Sequence, residues 1–127
     1  MNKAFIICHG DLAEGLLSGV KAIFGETDKF IACSNKTKSI PELLHEVKGI
    51  IADYSISEPV FFVDLRGGSC WRTAMQIVKE LKSGIVFSGT NLPMLVTYLS
   101  KSEECSSLIE LKETILSQTS KTFFGET

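Results

Sequence analysis

Four short apolar runs punctuate the chain: Lys3–Cys8, Lys29–Cys33, Pro59–Asp64 and Gly84–Ser88. Between them the apolar positions recur every three or four residues, as in Leu12, Leu16, Val20 and Ile23, then Leu43, Val47, Ile50 and Tyr54, then Trp71, Ala74, Ile77, Val78 and Leu81. The first pattern suits strands and the second helices. Helix starts are signposted. Asp11 with Glu14, Ser39 with Glu42 and Ser107 with Glu110 have capping-box spacing, and Asn91 stands two residues before Pro93. Two further helices are expected near 92–100 and 106–117. The first and third runs are apolar almost throughout, which suits parallel strands covered on both faces. The expected architecture is α/β, a doubly wound, mostly parallel sheet with helices on both faces, residues 1–127 forming one domain.

Composition narrows the class. Over 127 residues, 44% apolar and 22% charged positions with a net charge of −2 describe a globular chain with no electrostatic footprint for nucleic acid. No apolar stretch approaches the ~20 residues that span a bilayer. Met1-Asn2-Lys3 runs directly into the first strand, so no signal peptide is expected. Cys8, Cys33, Cys70 and Cys105 are scattered without a CxxC pair, which points to structural thiols in a reducing compartment.

Open α/β sheets bind ligands beyond the carboxyl ends of their strands, where the strand order reverses. For an order 2-1-3-4 that point lies between strands 1 and 3. Strand 1 exits into His9-Gly10, strand 3 into Asp64-Leu65-Arg66-Gly67-Gly68-Ser69, and strand 4 into Gly89-Thr90-Asn91. A carboxylate that accepts from one imidazole nitrogen fixes the tautomer and leaves a lone pair on the other. No serine sits in a nucleophile-elbow motif, so His9 is itself the candidate nucleophile and Asp64 its orienting partner. Gly67, Gly68 and Ser69 open a helix at Trp71, where backbone N–H groups and the dipole favour an anion. A histidine at a strand end is also a common core residue, and GGS is a common loop; their convergence with Asp64 favours a phosphohistidine site.

Three strings carry a resemblance. CHGDLAEGLLSG (8–19), FFVDLRGGSCWRTA (61–74) and SGTNLPMLVTYL (88–99) resemble, in order and spacing, the motifs of the mannose-class (mannose/fructose/sorbose) IIA components of the bacterial phosphoenolpyruvate:sugar phosphotransferase system. The resemblance implies that His9 is phosphorylated, that Asp64 hydrogen-bonds it, and that the Ser69 hydroxyl contacts phosphate. It also implies a cytoplasmic, metal-free homodimer without cofactor, exchanging a C-terminal strand. Such a protein accepts phosphate from the carrier HPr and passes it to a IIB partner that serves a IIC/IID membrane channel. In this chain the tail Lys121–Gly125 is short but β-prone, and Phe123 and Phe124 favour burial against a second copy.

The chain departs from the family pattern at Arg66, at Cys70 (proline in the family) and at Arg72 (asparagine in the family). Together with Trp71, the two arginines are candidate partner contacts, and they leave the partner's identity open. Cys70, at a helix start beside Arg72, is expected to have a depressed pKa and to be the most reactive thiol. Cys8 and Cys33 read as core, and Cys105, after Glu103-Glu104, sits in a negative field. His45 reads as solvated, and Leu108, Leu111 and Ile115 as core or dimer seam. Two other functional classes stay in view: a phosphorylation-dependent regulator using the same histidine, and a receiver-like domain phosphorylated on Asp64. The second lacks the acidic pair that would hold Mg²⁺, since Cys8-His9 stands in its place.

Overall fold

Alternation of strand and helix runs through the computed structural model, which describes residues 3–127. The elements are β1 (Ala4–Cys8), α1 (Leu12–Phe24), β2 (Phe30–Ser34), α2 (Ile40–Asp53), β3 (Val60–Val63), α3 (Ser69–Leu81), β4 (Ile85–Phe87), α4 (Leu92–Lys101), a 3-10 turn at Ser102–Glu104, and α5 (Leu108–Thr119). Met1 and Asn2, on which the direct entry into β1 was read, lie outside the described residues. The four strands are parallel in the order β2-β1-β3-β4, the order expected for a switch point between strands 1 and 3.

Each face of the sheet carries its own core. Ala4, Ile6 and Cys8 point to one side and join Val20, Phe30, Phe62, Phe87, Leu95, Tyr98, Leu111 and Ile115, so α1, α4 and α5 cover that face. Phe5, Ile7, Phe61 and Val63 point to the other and meet Leu43, Val47 and Ile51 of α2 and Cys70, Ala74 and Ile77 of α3. All five β1 side chains are buried, which explains why that run shows no polar alternation. Phe62 stacks on Phe87 and Phe5 on Phe61, each with ring centroids 5.1 Å apart.

The helix signals divide. Ser39 and Glu42 form a full capping box, and Asn91 Oδ1 accepts from the Met94 N–H. Ser107 Oγ accepts from the Glu110 N–H, but the Glu110 carboxylate turns to the Ser106 amide and hydroxyl instead of closing the box. Asp11 makes no capping bond at all. Its carboxylate pairs with Lys36 Nζ at 3.3 Å, across the gap between the exits of β1 and β2. Leu111 and Ile115 are core, which answers their open assignment. The tail after Ser120 forms no strand within this chain, and Phe123 and Phe124 stand 69% and 74% exposed.

Candidate functional site

Register brings the site together. Cys8 pairs with Ser34 and Ile7 with Val63, so the chain leaves β1 at His9 beside the exits that carry Asn35 and Asp64. Asp64 Oδ2 accepts two hydrogen bonds from the same residue, from His9 N–H at 2.9 Å and from its ring Nδ1 at 2.7 Å. Asp64 Oδ1 accepts from the Leu65 N–H at 2.9 Å. Partial burial works against the charged form of Asp64, but the His9 and Leu65 donors outweigh it and hold the carboxyl below the usual carboxylate range. An ionised Asp64 is acceptor only, so Nδ1 carries the hydrogen, and in the neutral ring Nε2 keeps its lone pair.

That lone pair faces the start of α3. Ser69 Oγ lies 3.3 Å from Nε2, and Gly68, the N-cap of α3, leaves its first-turn amides without a side-chain cap. Gly67 makes the preceding turn at φ +87°, a conformation that suits glycine. Gly68 is there for closeness: a Cβ at this position would stand 3.2 Å from His9 Cε1 and 3.3 Å from the Leu65 carbonyl oxygen. The imidazole therefore lies directly over the Gly-Gly-Ser turn. The exit of β4 reaches the site only indirectly. Gly89 N–H bonds the Asp64 carbonyl, and both the amide and the hydroxyl of Thr90 bond the Val63 carbonyl, which fixes the end of β3.

The exit of β2 was not singled out from the sequence, yet it contributes directly. Ser34 Oγ–H donates to the Gly10 carbonyl at 2.6 Å. Asn35 Oδ1 accepts from the Gly10 N–H at 3.2 Å, and Asn35 Nδ2 donates to Ser69 Oγ at 3.2 Å. The signal was available. In a 2-1-3-4 sheet strand 2 borders strand 1, so the polar pair Ser34-Asn35 at its carboxyl end belongs to the same rim.

Cys70 corrects one expectation. Its side chain is fully buried against the α2–α3 core, with Sγ 3.9 Å from His9 Nδ1. Desolvation, reinforced by the charge on Asp64, pushes the thiol up to about 11, against a small opposing effect of Ser69. Burial thus overrides the helix N-terminus that suggested a thiolate. Cys8 and Cys33 are buried as expected and are pushed up to about 12, so Cys105 is the most exposed of the four. His9, Asp64 and Cys70 are the one set among the described residues whose donor atoms lie within 4.8 Å of one another. A cation there would have to break the Nδ1–Asp64 hydrogen bond and deprotonate Cys70, so the set does not present as a ready metal site.

Arg66 and Arg72 are exposed, and among the described residues no hydrogen bond joins either to His9 or Asp64. Trp71 is half-buried against the α3 core and borders a shallow cavity of about 450 Å³ with Arg72, Met75 and Val78. His45 is exposed on α2.

Fold and site together define a class: an open, parallel α/β domain whose switch point sets an imidazole, held by a carboxylate, against a helix N-terminus able to receive an anion. The comparisons with known proteins give the family. The family model described as PTS system fructose IIA component matches residues 3–116. The sorbose-specific EIIA component of Klebsiella pneumoniae is 24% identical over 107 residues, covering 84% of this chain and 79% of that protein. The fructose-specific EIIA component of Bacillus subtilis (strain 168) is 29% identical over 108 residues, covering 81% and 72%. The fold matches a crystal structure of the phosphotransferase system component EIIA from Streptococcus agalactiae with a TM-score of 0.90 at 21% identity, over 98% of this chain and 97% of that one. The chain belongs to the mannose-class family of IIA components of the sugar phosphotransferase system, a family of phosphotransfer proteins in sugar transport. No helix among the described residues is long and apolar enough to cross a membrane.

Proposed function

We propose that this chain, as one 127-residue domain, is a histidine phosphocarrier that accepts a phosphoryl group on His9 Nε2 from phospho-HPr and passes it to a IIB partner. The observation that carries the reading is the division of labour on one ring: Nδ1 is tied to Asp64 while Nε2 faces the hydroxyl of Ser69, the first residue of α3. In the first transfer the Nε2 lone pair forms the bond to phosphorus, and the donor's bond to phosphorus breaks with its electron pair returning to the donor. Asp64 stabilises the positive charge that develops on the imidazole, and the Ser69 hydroxyl and the first-turn amides of α3 hold the phosphoryl oxygens. The second transfer reverses these roles toward the acceptor. No cofactor enters the scheme. The Gly67-Gly68 turn admits the group at close range.

Both Asp64 oxygens are already engaged by N–H donors, which favours His9 over Asp64 as the phosphoacceptor. The family role further supports a cytoplasmic location, a IIC/IID membrane channel as the route by which the sugar enters, and a homodimer. Exposed Phe123 and Phe124 support burial of the tail against a second copy. Incubation with phosphoenolpyruvate and the general phosphotransferase components, followed by peptide mapping, tests the proposal. Acid-labile, base-stable label on His9 is expected, and label that persists in His9→Ala overturns it.

A further inference from the structure

Asn35 is placed to decide which way the Ser69 hydroxyl points. Its side-chain amide is oriented without ambiguity: the Gly10 backbone N–H can only donate, so the atom it meets at 3.2 Å is Oδ1. The other end, Nδ2, then donates to Ser69 Oγ at 3.2 Å. With one lone pair of Oγ engaged by an N–H, the hydroxyl hydrogen is directed away from Asn35, and His9 Nε2 is the acceptor that stands 3.3 Å away. The Gly10 peptide is itself clamped, its N–H by Asn35 and its carbonyl by Ser34. One half-buried residue at the exit of β2 thus braces the backbone next to His9 and sets the polarity of the group that faces its reactive nitrogen.

We propose that Asn35 is a positioning residue for phosphotransfer, acting through Ser69: it holds the hydroxyl as a donor toward Nε2 before transfer and toward the phosphoryl oxygen after it. The inference rests on the reading of His9 as the phosphoacceptor. Donation into Oγ also polarises the hydroxyl and makes it a stronger donor to an anionic oxygen. A side chain that accepted from Ser69 would have the opposite effect, drawing the hydrogen away from His9.

The test is a double-mutant cycle with a spectroscopic arm, on the full chain. Phosphorylation rates from the general phosphotransferase components are measured for wild type, Asn35→Ala, Ser69→Ala and the double variant. Nitrogen-15 shifts of the His9 ring are recorded for all four without phosphate donor. Asn35→Ala removes the bonds to both Gly10 and Ser69; it is expected to slow phosphorylation about five- to tenfold, chiefly through the bond to Ser69, and most of that effect should vanish in the Ser69→Ala background. It should move the Nε2 resonance only when Ser69 is present. Asn35→Asp keeps the acceptor for Gly10 and replaces the donor to Ser69 by an acceptor. It should fold like wild type and be slower than Asn35→Ala, and it carries the kinetic test if the alanine variant does not fold. Wild-type rates in the Asn35 variants, full additivity with Ser69→Ala, or an unmoved Nε2 resonance overturns the inference. A wild-type chain that takes no label at His9 overturns the phosphocarrier reading instead, and the resonance arm then decides the Asn35–Ser69 coupling by itself.

Discussion

Replacing Asp64 by asparagine removes a charge while keeping the shape. Asp64 accepts three N–H donors, two at Oδ2 from His9 and one at Oδ1 from Leu65. An asparagine satisfies the larger number by turning its oxygen to His9, which keeps the Nδ1–H tautomer and leaves its NH₂ against the Leu65 amide. That mismatch costs about 1–2 kcal/mol of stability, as for an unpaired donor. The kinetic effect comes from the missing charge. A carboxylate and an imidazolium with charge centres about 4 Å apart attract by about 1 kcal/mol in bulk water and about 4 kcal/mol at an effective dielectric of about 20. The side chain of Asp64 is 10% exposed and that of His9 44%, which places the pair between those limits. A loss of about 2–3 kcal/mol in the transition state corresponds to phosphorylation slowed roughly 30- to 150-fold. Quench-flow measurement of phosphoryl incorporation at saturating donor, with circular dichroism to verify folding, gives the rate. A folded Asp64→Asn protein labelled within twofold of the wild-type rate refutes the argument that Asp64 stabilises the charged imidazole.

Asp64 also contributes to acid stability. Its folded pKa lies below the ordinary value of 3.8, so its contribution is present above that value and is lost as pH falls through the depressed one. The stability gap between wild type and Asp64→Asn in urea titrations should therefore narrow below pH 3.8, and a gap that widens there contradicts the assignment. Limiting iodoacetamide at pH 7.5 should alkylate Cys105 before Cys70, because burial and the neighbouring carboxylate hold the Cys70 thiol protonated; adducts mapped first to Cys70 refute this. Gly68→Ala should displace the imidazole, whose Cε1 would stand 3.2 Å from the new Cβ, and slow phosphorylation at least tenfold; an unchanged rate argues against the close approach. Light scattering at micromolar concentration should give twice the monomer mass of 13.9 kDa, and the monomer value refutes the dimer.

The sheet was legible because burial on both faces leaves a simple mark. Val60, Phe61, Phe62 and Val63 form a continuous apolar run, and each of their side chains is buried in the parallel sheet. His9 and Asp64 were legible because each is the first polar residue after such a run, and topology sends both runs to the same rim. Asn35 was harder to find. Its proposed role rests on two hydrogen bonds made between strand exits, to Gly10 and Ser69, and no periodicity along one strand encodes a contact of that kind. Cys70 was misread for a related reason. Its place at a helix start is visible in the sequence, but the direction of its side chain, inward among Ile7, Leu43 and Ala74 of one core, is set by how α3 rotates to seat Ile77. Asp11 failed as a cap because its backbone (φ −96°, ψ 10°) is not extended as it is at Ser39, Asn91 and Ser107, and its exposed carboxylate pairs with Lys36 instead.

The three departures from the family pattern divide by direction, and the division follows from the helix they flank. In the first turn of α3, Cys70 points into the core while Arg72 points to solvent, and Arg66 stands exposed in the loop before it. An inward residue at this position must be small and uncharged, because it packs within 3.9 Å of His9 Nδ1 beside a carboxylate that is meant to stay ionised. A protonated cysteine meets that requirement without competing for the Nδ1 hydrogen bond. The outward positions carry no such restriction, since nothing in the His9–Asp64–Ser69–Asn35 network touches them. Two positive charges there change the field that an approaching protein meets and leave the hydrogen bonds around the imidazole as they are. Charges of this kind act on encounter rate and on its dependence on ionic strength more than on the chemical step. In the proposed scheme the chemistry thus rests on His9, Asp64 and Asn35 at the strand exits and on Ser69 at the start of α3, while Arg66 and Arg72 bear on docking.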